Sequence, residues 1–380
     1  MQSTSASMKK PRVLVYSTIP VRRSGEMYET DSRWAIDIGS QAEIYAIRLV
    51  CPVQDHADAG MAVLNSSIKV TPVERAAIAN LVDEADIIQL PGNSGWRASR
   101  TIRQLTRLAR SRKKPVFLGI SSNRAKTAWI NRKKGPLGIA KGILDWVDVR
   151  TSQWFLASRA TGVFVVGHGI AQLARPNTNV HVGTASWISE RDIFKRPKSM
   201  ALPVRICCAS RLEPMKGVEI GVYAVGQLAS VCRGLRFDIV GEGPQRAELE
   251  NAAKRADILQ ITRFLGQLDY PDEFLSYLRS VDFVLLTNSS DEQPRLIFDA
   301  ISQGCLPICP DSAPYLALGL DKRLLYERGR PEMAAKAILR CIRMANSDRV
   351  AISASLRALA SEYTLDAMHK RRADWMQTAY

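Results

Sequence analysis

The stretch Val204–Gly217, VRICCASRLEPMKG, decides how this chain folds. Its first six residues form an apolar run broken only by Arg205, without the alternation expected of a strand with one wet face. Such a run belongs to a strand buried on both sides, as in a parallel sheet. It ends in a polar turn in which Pro214 suits the first turn of a helix. The same unit then recurs toward the C-terminus in RFDIVGEGP, ITRFLGQL, VDFVLLTNSS and CLPICPDS, with amphipathic stretches between. Toward the N-terminus it is met in RVLVYSTIP, AEIYAIRLVCP, ADIIQLPG, KPVFLGISS and TGVFVVG, each closing in Gly, Pro or Ser. VRRSGEMYETDS, after the first of these, reads as a polar loop.

The linker-like KRPKSMALP (Lys195–Pro203) separates the two series. The expectation is therefore an α/β protein of two doubly wound, Rossmann-like domains facing a central cleft, in keeping with 380 residues. The domains are expected over 1–198 and 199–362, with a last helix over 363–380. Ligands of such sheets bind beyond the carboxyl ends of the strands, so the turns just quoted are where chemistry is sought.

Composition narrows the class. Hydrophobic content of 46% and charged content of 24% are those of a globular protein. No run of about 18 apolar residues reads as a spanning helix, and the opening MQSTSASMKK has no apolar segment of the signal-peptide kind. Seven cysteines, an odd number without metal-ligand spacing, fit a reducing cytoplasm and neither a disulfide scaffold nor a zinc site. The net charge of +16 is lopsided: residues 1–199 hold 30 Lys and Arg against 15 Asp and Glu, the remainder 23 against 22.

Three turns carry candidate chemistry. In SRLEPMKG, Arg211 and Lys216 lie five apart across a strand-to-helix turn, a plausible clamp for a diphosphate. In VGEGPQRAELE, Gly241 and Gly243 permit close approach of backbone to a ligand. In DEQPRLIFDAISQGCLPI, a helix expected over Pro294–Gln303 leaves Asp291 in the preceding loop and Asp299 on its second turn, with Gly304 ending it.

Together, RLEPMKG, GEGP, FLGQLDYPDEF and DEQPRLIFDAISQGCLPI, in this order over Val204–Pro310, resemble the C-terminal domain of the family 4 glycosyltransferases of the GT-B fold. The resemblance implies a retaining transfer of sugar from a nucleotide diphosphate sugar. It also implies that Arg211 and Lys216 hold the donor diphosphate, that Asp291 binds the donor sugar and Asp299 the ribose. Both acids stand where the family has Glu, shortening each reach by roughly 1.5 Å. Gly243, Phe264 and Leu265 correspond to nucleotide-lining segments, and the backbone at Leu296 and Ile297 would face the phosphates. The last helix (about Thr364–Tyr380) would cross back to the N-terminal domain. No cofactor or metal is expected, since fixed cations meet the diphosphate.

The N-terminal half departs from the pattern. A single Gly25 follows the first strand, and Ser121, Ser122 and Asn123 stand where a family histidine is usual, so no general base is assigned. His168 follows a strand and could face the cleft, but reads more readily as a structural histidine of a βα turn. On a helical projection Arg100, Arg103, Arg107, Arg110 and Lys114 share about 80° of arc, opposite Ile102, Leu105, Leu108 and Ala109. Arg124, Lys126, Trp129, Arg132, Lys133 and Lys134 follow, and no acid occurs between Asp86 and Asp145. An anionic membrane is the expected partner, each cation near it being worth about 1 kcal/mol; nucleic acid is not, for want of a recognition motif. The expectation is a cytoplasmic enzyme of cell-surface polysaccharide biosynthesis, held at the inner membrane face and acting on a lipid-linked or anionic glycan. A GT-B epimerase or phosphorylase, or a non-catalytic glycan- or nucleic-acid-binding protein on the same fold, are the alternatives.

Overall fold

A computed structural model describes residues 10–56, 60–130, 135–195, 200–289 and 295–378. The chain forms two compact units. One comprises the chain up to Val166, Ile170–Gly183 and the segment from Met368; the other comprises Gly167–Gly169 and Thr184–Ala367.

In the first unit the chain runs through β1 (Arg12–Tyr16), β2 (Val21–Ser24), β3 (Met27–Asp31), α1 (Ser32–Ile44), β4 (Ala46–Cys51), β5 (Val53–Gln54), β6 (Met61–Val63) and β7 (Lys69–Pro72). It continues with α2 (Ile78–Glu84), β8 (Ile87–Pro91), α3 (Arg100–Ser111), β9 (Val116–Ile120), α4 (Arg124–Ile130), α5 (Pro136–Ala157), β10 (Gly162–Val166) and β11 (Val180–Gly183). Seven strands make a sheet in the order β11-β10-β9-β8-β1-β4-β7, and every neighbouring pair is parallel. The apolar runs are its strands because both faces are covered, one by the cluster around Leu105 and Leu118, the other by that around Ile38 and Phe117.

VRRSGEMYETDS is not a loop. It is the antiparallel hairpin β2–β3, which with β5 and β6 forms a second, four-stranded sheet. Its two faces are both largely polar, which hides the alternation. Arg22 and Glu29 stand opposite in register, and the Arg22 Nε donates to Glu29 at 2.9 Å.

The second unit contains β12 (Val204–Ala209), α6 (Val218–Ala229), β13 (Leu235–Val240), α7 (Arg246–Arg255), β14 (Thr262–Gly266), α8 (Asp272–Leu278), β15 (Phe283–Leu285), α9 (Leu296–Ser302) and β16 (Leu306–Pro310). After these come α10 (Ala313–Leu316), β17 (Leu325–Tyr326), α11 (Pro331–Ile342), α12 (Asn346–Glu362) and α13 (Leu365–Gln377). The strand order β14-β13-β12-β15-β16-β17, parallel throughout, is that of a doubly wound sheet with its reversal between β12 and β15. The unit begins ahead of the expected boundary at 198/199 because Ile188 and Ile193 are buried in its core.

The last helix starts within the second unit's span, and from Met368 onward it packs in the first. There Trp375 meets Phe117 edge-on at 5.2 Å, and Met376 is fully buried. His369 Nε2 lies 3.2 Å from Asp37, and Arg372 reaches His369 Nδ1 at 3.0 Å. Burial opposes the Asp37 charge, yet His369 and Arg372 hold its carboxyl below the usual range. The seven cysteines are free thiols, and six of them are buried. Among the described residues no helix is long and apolar enough to cross a membrane.

Candidate functional site

The reversal of strand order places two loops side by side at the carboxyl ends of β12 and β15. The first runs from Ser210 through a tight turn at Pro214–Lys216, which buried Met215 anchors. The second is Leu286–Ser289. They are joined at the backbone carbonyls of the first: Thr287 Oγ1 donates to the Lys216 carbonyl at 2.8 Å, and Ser289 donates to the Met215 carbonyl from its amide at 3.2 Å and its hydroxyl at 3.0 Å. The turn carrying Lys216 is thereby held at the crevice where doubly wound sheets bind ligands. Lys216 itself is half-buried, whereas Arg211 is exposed and donates to Glu213 at 2.8 Å. That ion pair orients the guanidinium without removing it from solvent.

A third loop, after β13, closes on the first. Leu212 donates to the Glu242 carbonyl at 2.9 Å, and the amide of Gln245 returns to the Leu212 carbonyl at 3.1 Å. Only glycine fits here. At φ 123° a side chain on Gly241 would collide with the Ser210 carbonyl, and at φ 157° a Cβ on Gly243 would sit 2.5 Å from that of Leu212. Phe264 and Leu265 end the neighbouring strand β14, half-buried, with the Arg246 guanidinium 5.7 Å over the Phe264 ring. The loops after β12 and β13, with the carboxyl-terminal part of β14, thus bring Arg211, Lys216, Gly243, Phe264 and Leu265 to one end of one sheet.

The acids fare differently. Asp291, like Pro294, lies outside the described residues. Asp299 is in the first turn of α9, not the second, since the helix runs from Leu296 with Arg295 as its cap, and its side chain is only 1% exposed. It is not a solvated surface acid: Arg295 Nε lies 3.3 Å from one carboxylate oxygen, and the Tyr270 hydroxyl donates to the other at 3.3 Å. Burial pushes the Asp299 carboxyl up, against the pull of Arg295 and Tyr270. The same burial, with Asp299 beside it, raises the Tyr270 phenol. Arg295 in turn is stacked 3.6 Å over Trp187 and 4.8 Å from the Tyr270 ring. Trp187, Tyr270 and Arg295 do not stand out in the sequence, because each gains its meaning from partners far along the chain. Leu296 is half-buried and Ile297 fully buried.

In the first unit the cationic stripe is real but partly engaged. Arg100 and Arg107 are exposed on α3. Arg103 bonds the Trp96 carbonyl and Ser99 Oγ and lies 5.0 Å over the Trp96 ring. Arg110 donates to the Arg159 carbonyl at 3.1 Å, and Arg112 pairs with Asp83 at 3.1 Å. Lys114 is not on the helix, contrary to the projection. The chain turns at Lys113 (φ 54°), and the Lys114 amide returns to the Ala109 carbonyl at 2.9 Å. Arg132, Lys133 and Lys134 lie outside the described residues. Ser121 Oγ is 2.7 Å from the side-chain amide of Asn93, and His168 is exposed on a 3-10 turn. Among the described residues no three His, Cys, Asp or Glu side chains group to hold a metal ion.

The fold defined by these sheets is GT-B. Residues 203–344, the span of the three loops, match the family described as Glycosyl transferases group 1. HepE of Anabaena, solved in complex with UDP and glucose, superposes with a TM-score of 0.64 at 16% identity, over 97% of this chain and 100% of that one. The Escherichia coli structure described as trehalose-6-phosphate bound with UDP-2-fluoro glucose gives 0.67 at 10% identity, over 96% and 99%. In sequence the chain is 30% identical over 110 residues to a glycogen synthase of Mycobacterium tuberculosis. It is 32% identical over 94 residues to 2-deoxystreptamine glucosyltransferase of Streptomyces kanamyceticus. These matches take in 29% and 25% of this chain and about a quarter of each curated relative, 26% and 24%.

Proposed function

We propose that the protein is a retaining glycosyltransferase that takes its sugar from a nucleotide diphosphate donor, a uridine diphosphate sugar in the first instance. The observation that carries the reading is the stitching of the β12 and β15 loops, which holds the Lys216 turn, with Arg211 beside it, at the switch-point crevice of a domain matching Glycosyl transferases group 1. The UDP and UDP-2-fluoro glucose held by the two structural neighbours support the choice of base.

In this mechanism Arg211 and Lys216 neutralise the charge that develops on the departing diphosphate. Stabilisation of developing charge by fixed, preorganised groups is typically the main source of rate enhancement in such a reaction. The two cations take the part a divalent cation plays elsewhere, so transfer is expected to survive chelators. Asp291 orients the donor sugar and Asp299 the ribose, while the backbone at Leu296 and Ile297 faces the phosphates. At Asp299 the Tyr270 hydroxyl and the Arg295 Nε–H each meet one carboxylate oxygen and fix the orientation of the acid. Gly243, Phe264 and Leu265 line the nucleotide. The acceptor is a lipid-linked or anionic glycan, brought to the enzyme at the cytoplasmic membrane face by the basic surface of α3, in polysaccharide assembly.

A thermal-shift panel of nucleotide diphosphates and their sugars tests this. A ligand at about 100 times its Kd adds about 2.7 kcal/mol to native stability, so UDP should raise the melting temperature of wild type. Arg211→Ala and Lys216→Ala should abolish both that shift and transfer while melting normally without ligand. Wild-type turnover in either variant would sink the diphosphate assignment.

A further inference from the structure

The helix α5 leaves a broad apolar face in water. Leu137 is 88% exposed, Leu144 68% and Trp154 59%, with Ile143 and Val147 also exposed. At 3.6 residues per turn these five fall within about 120° of arc, and no charged residue of the helix shares it. Isolated exposed apolar residues need no explanation; a contiguous stripe along 22 residues does. Beside it, Trp129 of α4 is exposed, and with Trp146, Ile143, Asn123 and Lys126 it lines a cavity of about 410 Å³ between the two helices.

We propose that this α4–α5 face docks the protein by shallow insertion into the interfacial region of an anionic phospholipid bilayer. Three observations select a bilayer over another occupant. Trp154 lies in the apolar row, and Trp129 and Trp146 line the cavity beside it; tryptophan is the residue whose amphipathic ring settles at the headgroup boundary. Cations accompany the face among the described residues: Lys126 lines the cavity, and Arg100 and Arg107 are exposed on α3. The apolar row is also continuous with the α3 stripe. Leu137, Leu144 and Thr151 succeed one another every seven residues on α5. The Trp96 indole donates to Thr151 Oγ1 at 2.7 Å, and Arg103 is stacked on that same indole. An apolar strip bordered by arginines is the pattern of a helix lying in the plane of an anionic membrane. The inference deepens the membrane-facing part of the function proposed above but does not rest on the donor chemistry.

Flotation of the intact protein with phosphatidylcholine vesicles, with and without phosphatidylglycerol, tests it at low and high salt. Wild type should float with the anionic vesicles and keep a fraction bound at high salt, where purely electrostatic binding is lost. Brominated acyl chains should quench its tryptophan emission. The Leu137→Glu/Leu144→Glu variant should lose that salt-resistant fraction, with affinity down by roughly tenfold or more. It should keep the wild-type melting temperature and the shift given by UDP. Binding that is absent, or salt-sensitive throughout and equal in the variant, would overturn the proposal. So would a wild-type dimer that the variant dissociates, since a second copy would then cover the face. Failure of the donor reading is read separately, as a missing UDP shift with flotation intact.

Discussion

Arg295 lies over the Trp187 ring, with the Tyr270 ring at its flank and the buried Asp299 carboxylate at its Nε. Its planar guanidinium satisfies all three at once, stacking on the rings while its Nε–H meets the acid, which a lysine ammonium cannot reproduce. Arg295→Ala would leave a buried acid with Tyr270 alone, a loss of about 3–5 kcal/mol by comparison with other broken buried pairs. Arg295→Lys should recover little of it. Chemical denaturation of the two variants checks this, and a full rescue by lysine would show that charge alone matters. The cluster also separates what sequence reveals from what it does not. Arg211, Lys216 and Gly243 are legible because each sits in a turn that directly follows an apolar strand run, a pattern carried by the neighbouring residues alone. Arg295 reads in the sequence as one more basic residue, since the tryptophan it stacks on belongs to a segment more than a hundred residues earlier.

At the scale of elements, the strands of both sheets are legible from their unbroken apolar runs, as for VRICCA, because burial on two faces leaves no alternation to misread. The β2–β3 hairpin is illegible for the opposite reason, its side chains being polar on both faces. The apolar face of α5 is hidden too, because its exposure is a fact of tertiary packing: the same residues would suit a core helix. Ion pairing between elements is testable by pH. Arg12 at the start of β1 meets Asp86 ahead of β8, side chain to side chain at 2.7 Å, and the Arg12 amide donates to the same carboxylate at 2.9 Å. The Arg12 hydrogen bond is the main reason the Asp86 carboxyl falls from 3.8 to about 2. A depressed acid pKa means the unfolded chain binds the proton more readily. The pair's contribution is therefore present above about pH 4 and lost as pH falls through about 2. Both side chains are well exposed, so the effect is small. Asp86→Asn should differ from wild type in denaturation midpoint at pH 5 and converge with it near pH 2; a gap that persists into acid would point to packing instead.

For the molecule as a whole, the first unit is not a contiguous piece of chain. Its core includes Ala373 and Met376 from the far end of the sequence, and its buried ion cluster joins Asp37 of α1 to His369 and Arg372 of α13. Asp37→Asn would leave the buried Arg372 charge without its acid, and about 3–5 kcal/mol of stability should be lost. Hydrogen exchange locates the damage. Amides of α13 from Met368 onward should lose protection, while those of β12 and β13 stay as in wild type. Equal loss in both units would mean that they unfold as one.

That discontinuity bears on synthesis. When Gly183 leaves the ribosome every strand of the first unit's large sheet has been made, yet the residues that finish its core are encoded after the whole second unit. At about 5–20 residues per second this interval is on the order of 10–40 s. Throughout it the nascent sheet carries an open apolar seat where Trp375 and Met376 will later lie, beside Phe117 and Ile38. A chaperone that shields nascent chains would meet its need there, and the first unit can mature only after the second has been translated.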